Sequence, residues 1–372
     1  MQLEAKSITP VHIGSGDSLS PMDYWCEEGR VHVCDTPGLM RRFGDRFADW
    51  IMARERPTLQ EWVDNVADGN ERLRGALEEN TLYSVRHAGQ PPVRDDVAQY
   101  IVDGDRVTLP GSSVKGAIRT AVLYCIVADN AGGVGAWLAG KLEPLVERDR
   151  LGPGALSGLA KELERRALHA RRRKNMQYDL LKYLRVPDLV GPERGDGLFV
   201  ANVELHGTTR EFHMFAELLG SREFVGSGFS TLEAGAEDAD LVSQAMRIPD
   251  GQREYVGDWP ALARCCHRFA QSLIEADRRW FQQAGMDDTV RVLNRLARHN
   301  EPESPLIRVG AHTGYLSQTV GAALGEAGAD GDLYQQVLAP AMSRRGSSDF
   351  PKTRRVVAGV PLGWVKLSCA EG

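Results

Sequence analysis

Residues 109–120, LPGSSVKGAIRT, compress a β-like ending, a chain break and a helix start into one short stretch. Arg106, Val107, Thr108 and Leu109 read as a strand, and Pro110 and Gly111 end it. Ser112, Ser113, Lys115 and Gly116 follow, and beyond them Ala117, Ala121, Val122 and Leu123 supply an apolar helical face. Such a strand, glycine turn and helix start gathers free backbone N–H groups at the positive end of a helix dipole, an arrangement that favours phosphate. Lys115 and Arg119 lie four apart, which puts both cations on one helical face. The spacing of Gly111 and Gly116 is that of a P-loop, but Ala117 and Ile118 stand where its lysine and hydroxyl belong. The pattern therefore predicts a loop that holds a phosphate without hydrolysing a nucleotide.

At 372 residues the chain has room for two cores. No run approaches the roughly 20 apolar residues of a membrane span, and the polar, strand-like N-terminus does not read as a signal peptide. An intracellular, cytoplasmic protein without a membrane partner is expected. Six scattered cysteines contain no CxxC pair, so neither a zinc site nor a disulfide framework is predicted, and no cofactor is expected. Adjacent Cys265 and Cys266 fall on a helical pattern and read as packing residues. A net charge of −6 argues by itself against a nucleic-acid binder. The distribution argues otherwise: residues 161–185 hold nine Lys/Arg against three acids, and 344–355 hold five against one.

Along the chain, 2–9 read as a first strand ended by Pro10, IGSGDS as a turn, and 30–34 as the next strand. Helices are predicted over about 37–54 and 57–79, the second capped by Thr58. After the central helix, two more at about 136–150 and 155–184 read as an insertion. Strands resume at 184–186, 198–205 and 211–218, with HGTT (206–209) as a hairpin turn. The acidic stretch 226–240 is the expected domain boundary. Helices at about 258–283 and 287–299, a strand at 306–309, the glycine loop GAHTG with another helix after it, and a last strand at 363–368 complete the pattern. The two glycine loops suggest an internal repeat of strand, loop and helix, which fits ferredoxin-like units.

The segment PGSSVKGAIRT resembles the glycine-rich signature of the RAMP superfamily, the RNA-binding subunits of CRISPR effector complexes. Three further segments agree: ITPVHIGSGDSLSPMDY (8–24), RVGAHTGYLSQT (308–319) and FPKTRRVVAGVPLGWVKL (350–367). Together they are most similar to the Csm-type subunit at the guide-RNA 3′ end of type III-A complexes. That resemblance implies an α+β fold of two ferredoxin-like (RRM-like) domains, 1–235 with a helical insertion at about 131–180, and 236–372. It implies a non-catalytic crRNA-binding role that caps the guide and helps set its 3′ maturation. The implied partners are crRNA, a neighbouring backbone RAMP subunit and a small helical subunit, with target RNA and host nucleases as further candidates.

For RNA phosphates the first candidates are Lys115 and Arg119 with the segment Gly111, Ser112, Ser113 and Gly116; the structural alternative is close packing and helix capping. His12, Gly14 and Ser15 form a second group. His12 could take a 2′-hydroxyl proton in a metal-free ribonuclease, but no partner acid is evident from spacing, which favours a structural or RNA-contact histidine. Asp23 is the residue that a target-cutting backbone subunit would use with a metal; MDYW reads as structural. Arg171, Arg172, Arg173 and Lys174 sweep around a helix and suit either solvent or a polyanion. Gly310, His312 and Thr313 belong to the second glycine loop, with Tyr315 beside it. Lys352, Arg354 and Arg355 follow Phe350, which offers a stacking surface or a core plug. A catalytic RAMP ribonuclease, a target-cleaving subunit and a protein-only scaffold are the rival readings.

Overall fold

The computed structural model describes residues 1–67, 69–148, 153–169, 179–208, 213–231, 253–326, 333, 336–337 and 351–370. Among these, seventeen strands form three sheets. The first runs in the order β14 (Leu306–Arg308), β17 (Trp364–Ala370), β1 (Gln2–Ser7), β13 (Glu223–Ser227), β9 (Leu189–Glu193), β8 (Arg106–Leu109) and β7 (Val102–Asp103). The second runs β2 (Gly14–Leu19), β6 (Val97–Tyr100), β12 (Phe215–Leu219), β10 (Leu198–Asn202), β5 (Thr81–Ala88), β4 (Arg30–Cys34) and β3 (Tyr24–Glu27). The small third sheet is β11 (Glu204–His206), β15 (Arg354–Val357) and β16 (Val360–Pro361). The fold is thus mixed helix and sheet, as expected.

Side-chain alternation explains how the layers stack. In β1 Leu3, Ala5 and Ser7 point inward and Glu4 and Lys6 outward, and Ala5 sits between Phe224 of β13 and Leu367 of β17. Strand β12 is buried along its whole length. Phe215 and Leu219 enter the main core, whereas Ala216 and Leu218 pack with Val357 and Leu362 under the third sheet. A sheet covered on both faces loses the polar alternation of an open one.

The central helix, Gly111–Ala128, has every residue from 121 to 128 buried, as befits a helix enclosed on all sides. It packs against the long helix Trp259–Gln283, whose inward stripe is Leu262, Cys266, Phe269, Leu273, Asp277 and Phe281. That spacing of three and four is helical, and an aspartate occupies one core position. Asp258 caps the long helix by accepting from Ala261 N at 2.8 Å. Burial pushes the Cys266 thiol up, consistent with packing. Among the described residues no single helix is long and apolar enough to cross a membrane.

Several expectations are corrected. The helix begins at Gly111, so the presumed glycine turn is its first turn, and Gly116 lies inside it. IGSGDS belongs to β2 rather than to a turn, and β3 had no sequence counterpart. Residues 184–186 are not a strand; β9 begins at Leu189. The helix expected over 155–184 is Pro153–Leu168, followed after the undescribed residues by a short 3-10 turn, Leu180–Lys182. After GAHTG come a 3-10 turn, Leu316–Gln318, and a short helix, Ala323–Glu326, so the proposed repeat is only partial. The predicted helix near 57–79 is divided into Leu59–Trp62, a π turn Val63–Ala67 and Glu71–Glu79, with Thr58 as its cap.

Candidate nucleic-acid interface

The central signature is engaged with its own chain. Gly111 N donates to Asp188 Oδ1 at 2.7 Å, which places a carboxylate at the helix start. A Cβ at Gly111 would stand 2.2 Å from the Val186 carbonyl oxygen, so only glycine allows this approach. Lys115 Nζ donates to the Leu184 carbonyl at 2.7 Å, and Arg119 pairs with Asp179 at 2.7 Å and Glu164 at 3.2 Å. Burial lowers the Lys115 pKa, with Asp179 opposing and Arg119 adding. Both cations do share a face, but that face pins residues 179–188 onto the helix instead of lining an open groove. Ser112 is exposed, Ser113 half-buried.

The second glycine loop docks onto the other N-terminal motif. Gly310 has φ 91°, and a Cβ there would lie 2.3 Å from the His12 carbonyl oxygen. Ala311 N donates to that oxygen at 2.8 Å. The rings of His12 and His312 then stack, with centroids 5.6 Å apart and planes at 16°. His12 Nδ1 lies 2.7 Å from the Glu217 carbonyl oxygen, an acceptor only, so Nδ1 carries the proton. Arg355 donates to His312 Nδ1 at 3.0 Å, so that nitrogen is unprotonated. Burial lowers the His12 pKa. It also pulls His312 down to about 4, with Arg355 and His12 adding to the effect. Both rings are neutral at pH 7.

His12 is buried, and beneath it the Glu217 carboxylate accepts from Tyr83, Tyr100 N and Arg194. Gly14 and Ser15 lie on exposed β2; Ser15 Oγ reaches the Gln99 carbonyl at 3.4 Å. Asp23 uses both carboxylate oxygens on its own turn, accepting from Ser20 N, Ser20 Oγ and Thr36 Oγ1. Thr313 is buried and donates to the Gly310 carbonyl at 3.1 Å. Arg171, Arg172, Arg173, Lys174 and Phe350 fall outside the described residues.

Residues 312–315, Arg308 of β14, residues 351–355 leading into β15, and Leu205 of β11 with Gly207 and Thr208 surround a cleft of about 390 Å³. Its basic side chains are Arg308, Lys352, Arg354 and Arg355, and no acid appears in its described lining. Behind it, Asp277 of the long helix accepts from Arg308 at 2.7 Å and from Arg354 at 2.6 Å. Their side chains are 2%, 4% and 8% exposed in that order, so one buried carboxylate faces two guanidiniums and a positive charge is left over. Arg308 also lies over Trp364 and Arg354 over Trp280, with centroid distances of 5.2 and 5.3 Å. An excess buried cation at the wall of an acid-free cleft is a strong local field for an anion. Lys352 is exposed at the mouth, and Tyr315, 41% exposed, offers a ring beside it.

The sequence brought His12, Gly310, His312, Thr313, Lys352, Arg354 and Arg355 forward, and the fold gathers these around one place. It missed Arg308 and Asp277. A cation inside the apolar run LIRV and an acid at a core position of a helical stripe were the available signals.

The chain belongs to the RAMP superfamily, whose family profile matches residues 4–226. Over its full length it is 22% identical to the CRISPR system Cms protein Csm5 of Methanocaldococcus jannaschii, covering 89% of that protein. A chain of the type III-A Csm–crRNA–target RNA ternary complex matches with a TM-score of 0.66 and 22% identity, over 99% of this chain and all of that one. Csm5 of T. onnurineus matches with a TM-score of 0.67 and 21% identity, over 97% and 99% of the two chains.

Proposed function

We propose that this chain is an RNA-holding, non-catalytic subunit of a type III-A (Csm) CRISPR ribonucleoprotein, seated at the 3′ end of the guide. The observation that carries the reading is the acid-free cleft with four basic residues, two of which, Arg308 and Arg354, are held from behind by Asp277. The full-length similarity to Csm5 and to a chain of the Csm–crRNA–target RNA complex supports the choice of ribonucleoprotein. Contacts to sugar and phosphate position a strand without reading its sequence, which suits a guide whose sequence varies. In this reading Lys352 and Arg355 meet phosphate, Tyr315 lies against ribose or base, and Arg308 and Arg354 supply the underlying field. The neutral His12–His312 stack fixes the loop rather than moving a proton. Neighbouring backbone and small helical subunits flank the chain, and guide length is set where it blocks trimming.

Ultraviolet crosslinking of the assembled ribonucleoprotein, with mass mapping of the adducts, tests this. The expected crosslinks join the last guide nucleotides to peptides containing 308–315 and 352–355. Crosslinks confined to the guide 5′ region, or to other surfaces of the chain, contradict it.

A further inference from the structure

The Asp277 clamp leaves part of each guanidinium unused. Arg308 commits Nη1 to Asp277 at 2.7 Å and Nε to the Leu362 carbonyl at 3.0 Å. Arg354 commits Nε to Asp277 at 2.6 Å, and Nη1 to the carbonyls of Pro351 and Thr353 at 2.9 and 3.1 Å. Nη2 of each arginine has no hydrogen-bond partner among the described residues, and each stays open to solvent in the cleft that both side chains line. The two donors therefore belong to nearly buried side chains and still face a space from which a ligand can reach them.

Charge and shape limit what these donors can hold. Four cations, Arg308, Lys352, Arg354 and Arg355, stand against the single carboxylate of Asp277, and the described lining adds no acid. An internal phosphodiester answers that excess with one negative charge. A terminal phosphate carries about 1.5–2 charges at pH 7 and offers three acceptor oxygens. Guanidiniums already desolvated and fixed by Asp277 lose little further freedom on binding, so the extra charge counts more than it would in open water. The walls are also closed. A Cβ on Gly207 would stand 2.3 Å from the Lys352 carbonyl oxygen, which seals the turn at 207 against residue 352. One on Gly363 would stand 2.4 Å from Thr313 Cγ2, which seals the second glycine loop against the entry to β17. A space of about 390 Å³ closed along these seams suits the end of a chain, whereas a strand passing through needs an exit as well as an entrance.

We propose that the free Nη2 groups of Arg308 and Arg354, with Lys352 and Arg355 beside them, form a site for a dianionic phosphate group. Its source is the 3′-terminal phosphate of an RNA or free inorganic phosphate, which share the chemistry recognised. The proposal rests on the reading that this cleft meets RNA, and it adds which phosphate is held: a terminal one in preference to an internal diester. Asp277 is a positioning residue here, as are Trp364 and Trp280, whose rings lie 5.2 and 5.3 Å from the two guanidinium carbons.

Fluorescence anisotropy of the full chain tests it, with one internally labelled RNA sequence ending in a 3′-phosphate or a 3′-hydroxyl, beside calorimetric titration with inorganic phosphate alone. The 3′-phosphate strand is expected to bind at least about tenfold tighter, the effect of one added charge-assisted hydrogen bond, and inorganic phosphate to compete with it. Arg354→Lys keeps a cation for Asp277 but removes Nη2, and is expected to erase the difference between the two ends. Thermal melting checks that this variant folds; if it does not, the wild-type comparison and the phosphate titration decide without it. Ends that bind alike while inorganic phosphate still binds make free phosphate the source. Ends that bind alike without phosphate binding overturn the proposal, as does a folded Arg354→Lys that keeps the full difference. An equal gain from a 5′-phosphate overturns it too, because added charge then suffices. In each of these cases the functional reading stands if joint Lys352→Ala and Arg355→Ala still weakens RNA binding. A chain that binds neither RNA overturns that reading, and the phosphate titration then decides this proposal by itself.

Discussion

Two guanidiniums share the Asp277 carboxylate, so Asp277→Ala leaves Arg308 and Arg354 facing each other in a nearly dry site. Breaking a buried charge cluster on one side costs about 3–5 kcal/mol, and urea denaturation is expected to report a loss of that size. A loss below about 1 kcal/mol would mean that the clamp is looser than its geometry. His312 gives a pH signature at the same scale. Its folded pKa of about 4 lies below the ordinary 6.5, so the unfolded chain takes up a proton first as the pH falls. The stability this ring confers is full above about 6.5 and is lost between 6.5 and 4. Melting temperatures are expected to fall across that window, and less steeply in His312→Gln; parallel curves for the two proteins would remove His312 from the account.

Among the elements, the central helix start is the sharpest case of a motif recognised for one property and built for another. Gly111→Ala forces a Cβ against the Val186 carbonyl and is expected to cost about 1–3 kcal/mol. Lys115→Ala frees the Leu184 carbonyl and should lower stability by about 1 kcal/mol, with a smaller effect on RNA affinity than replacing Lys352 and Arg355. The reverse order of effects would return the RNA contact to the central helix. Elements with a clear period were legible: β4 over Arg30–Cys34, the helix Asp287–His299 and the cap at Thr58. Strand β2, GSGDSL, was not, because its residues are exposed except the last and its pairing with β6 is bulged. Nothing apolar alternates there for a reader to follow. Lys115 and Arg119 were rightly set on one face, but the carboxylate and carbonyl that occupy them come from residues 164–188, which spacing alone cannot bring near.

Over the whole molecule, the N- and C-terminal strands β1 and β17 pair in register from Gln2↔Ala370 to Ser7↔Val365. A fragment ending at residue 235 leaves β1 without that neighbour and presents an open edge. It is expected to aggregate or to lose a sharp unfolding transition, whereas a soluble, cooperatively unfolding fragment would show that the N-terminal part closes by itself. The same long-range closure assembles the basic cleft from residues near 207, 308–315 and 352–355 with Asp277 behind them, and it seats His12 against the loop. The most direct test of that cleft is the affinity of the purified chain for single-stranded RNA across a salt series, with and without Lys352→Ala and Arg355→Ala. Each lost phosphate contact should reduce the slope of log affinity against log salt by about 0.7, so the double variant should lose roughly 1.4 and bind more weakly throughout. An unchanged slope with unchanged affinity would contradict the assignment of RNA to this cleft.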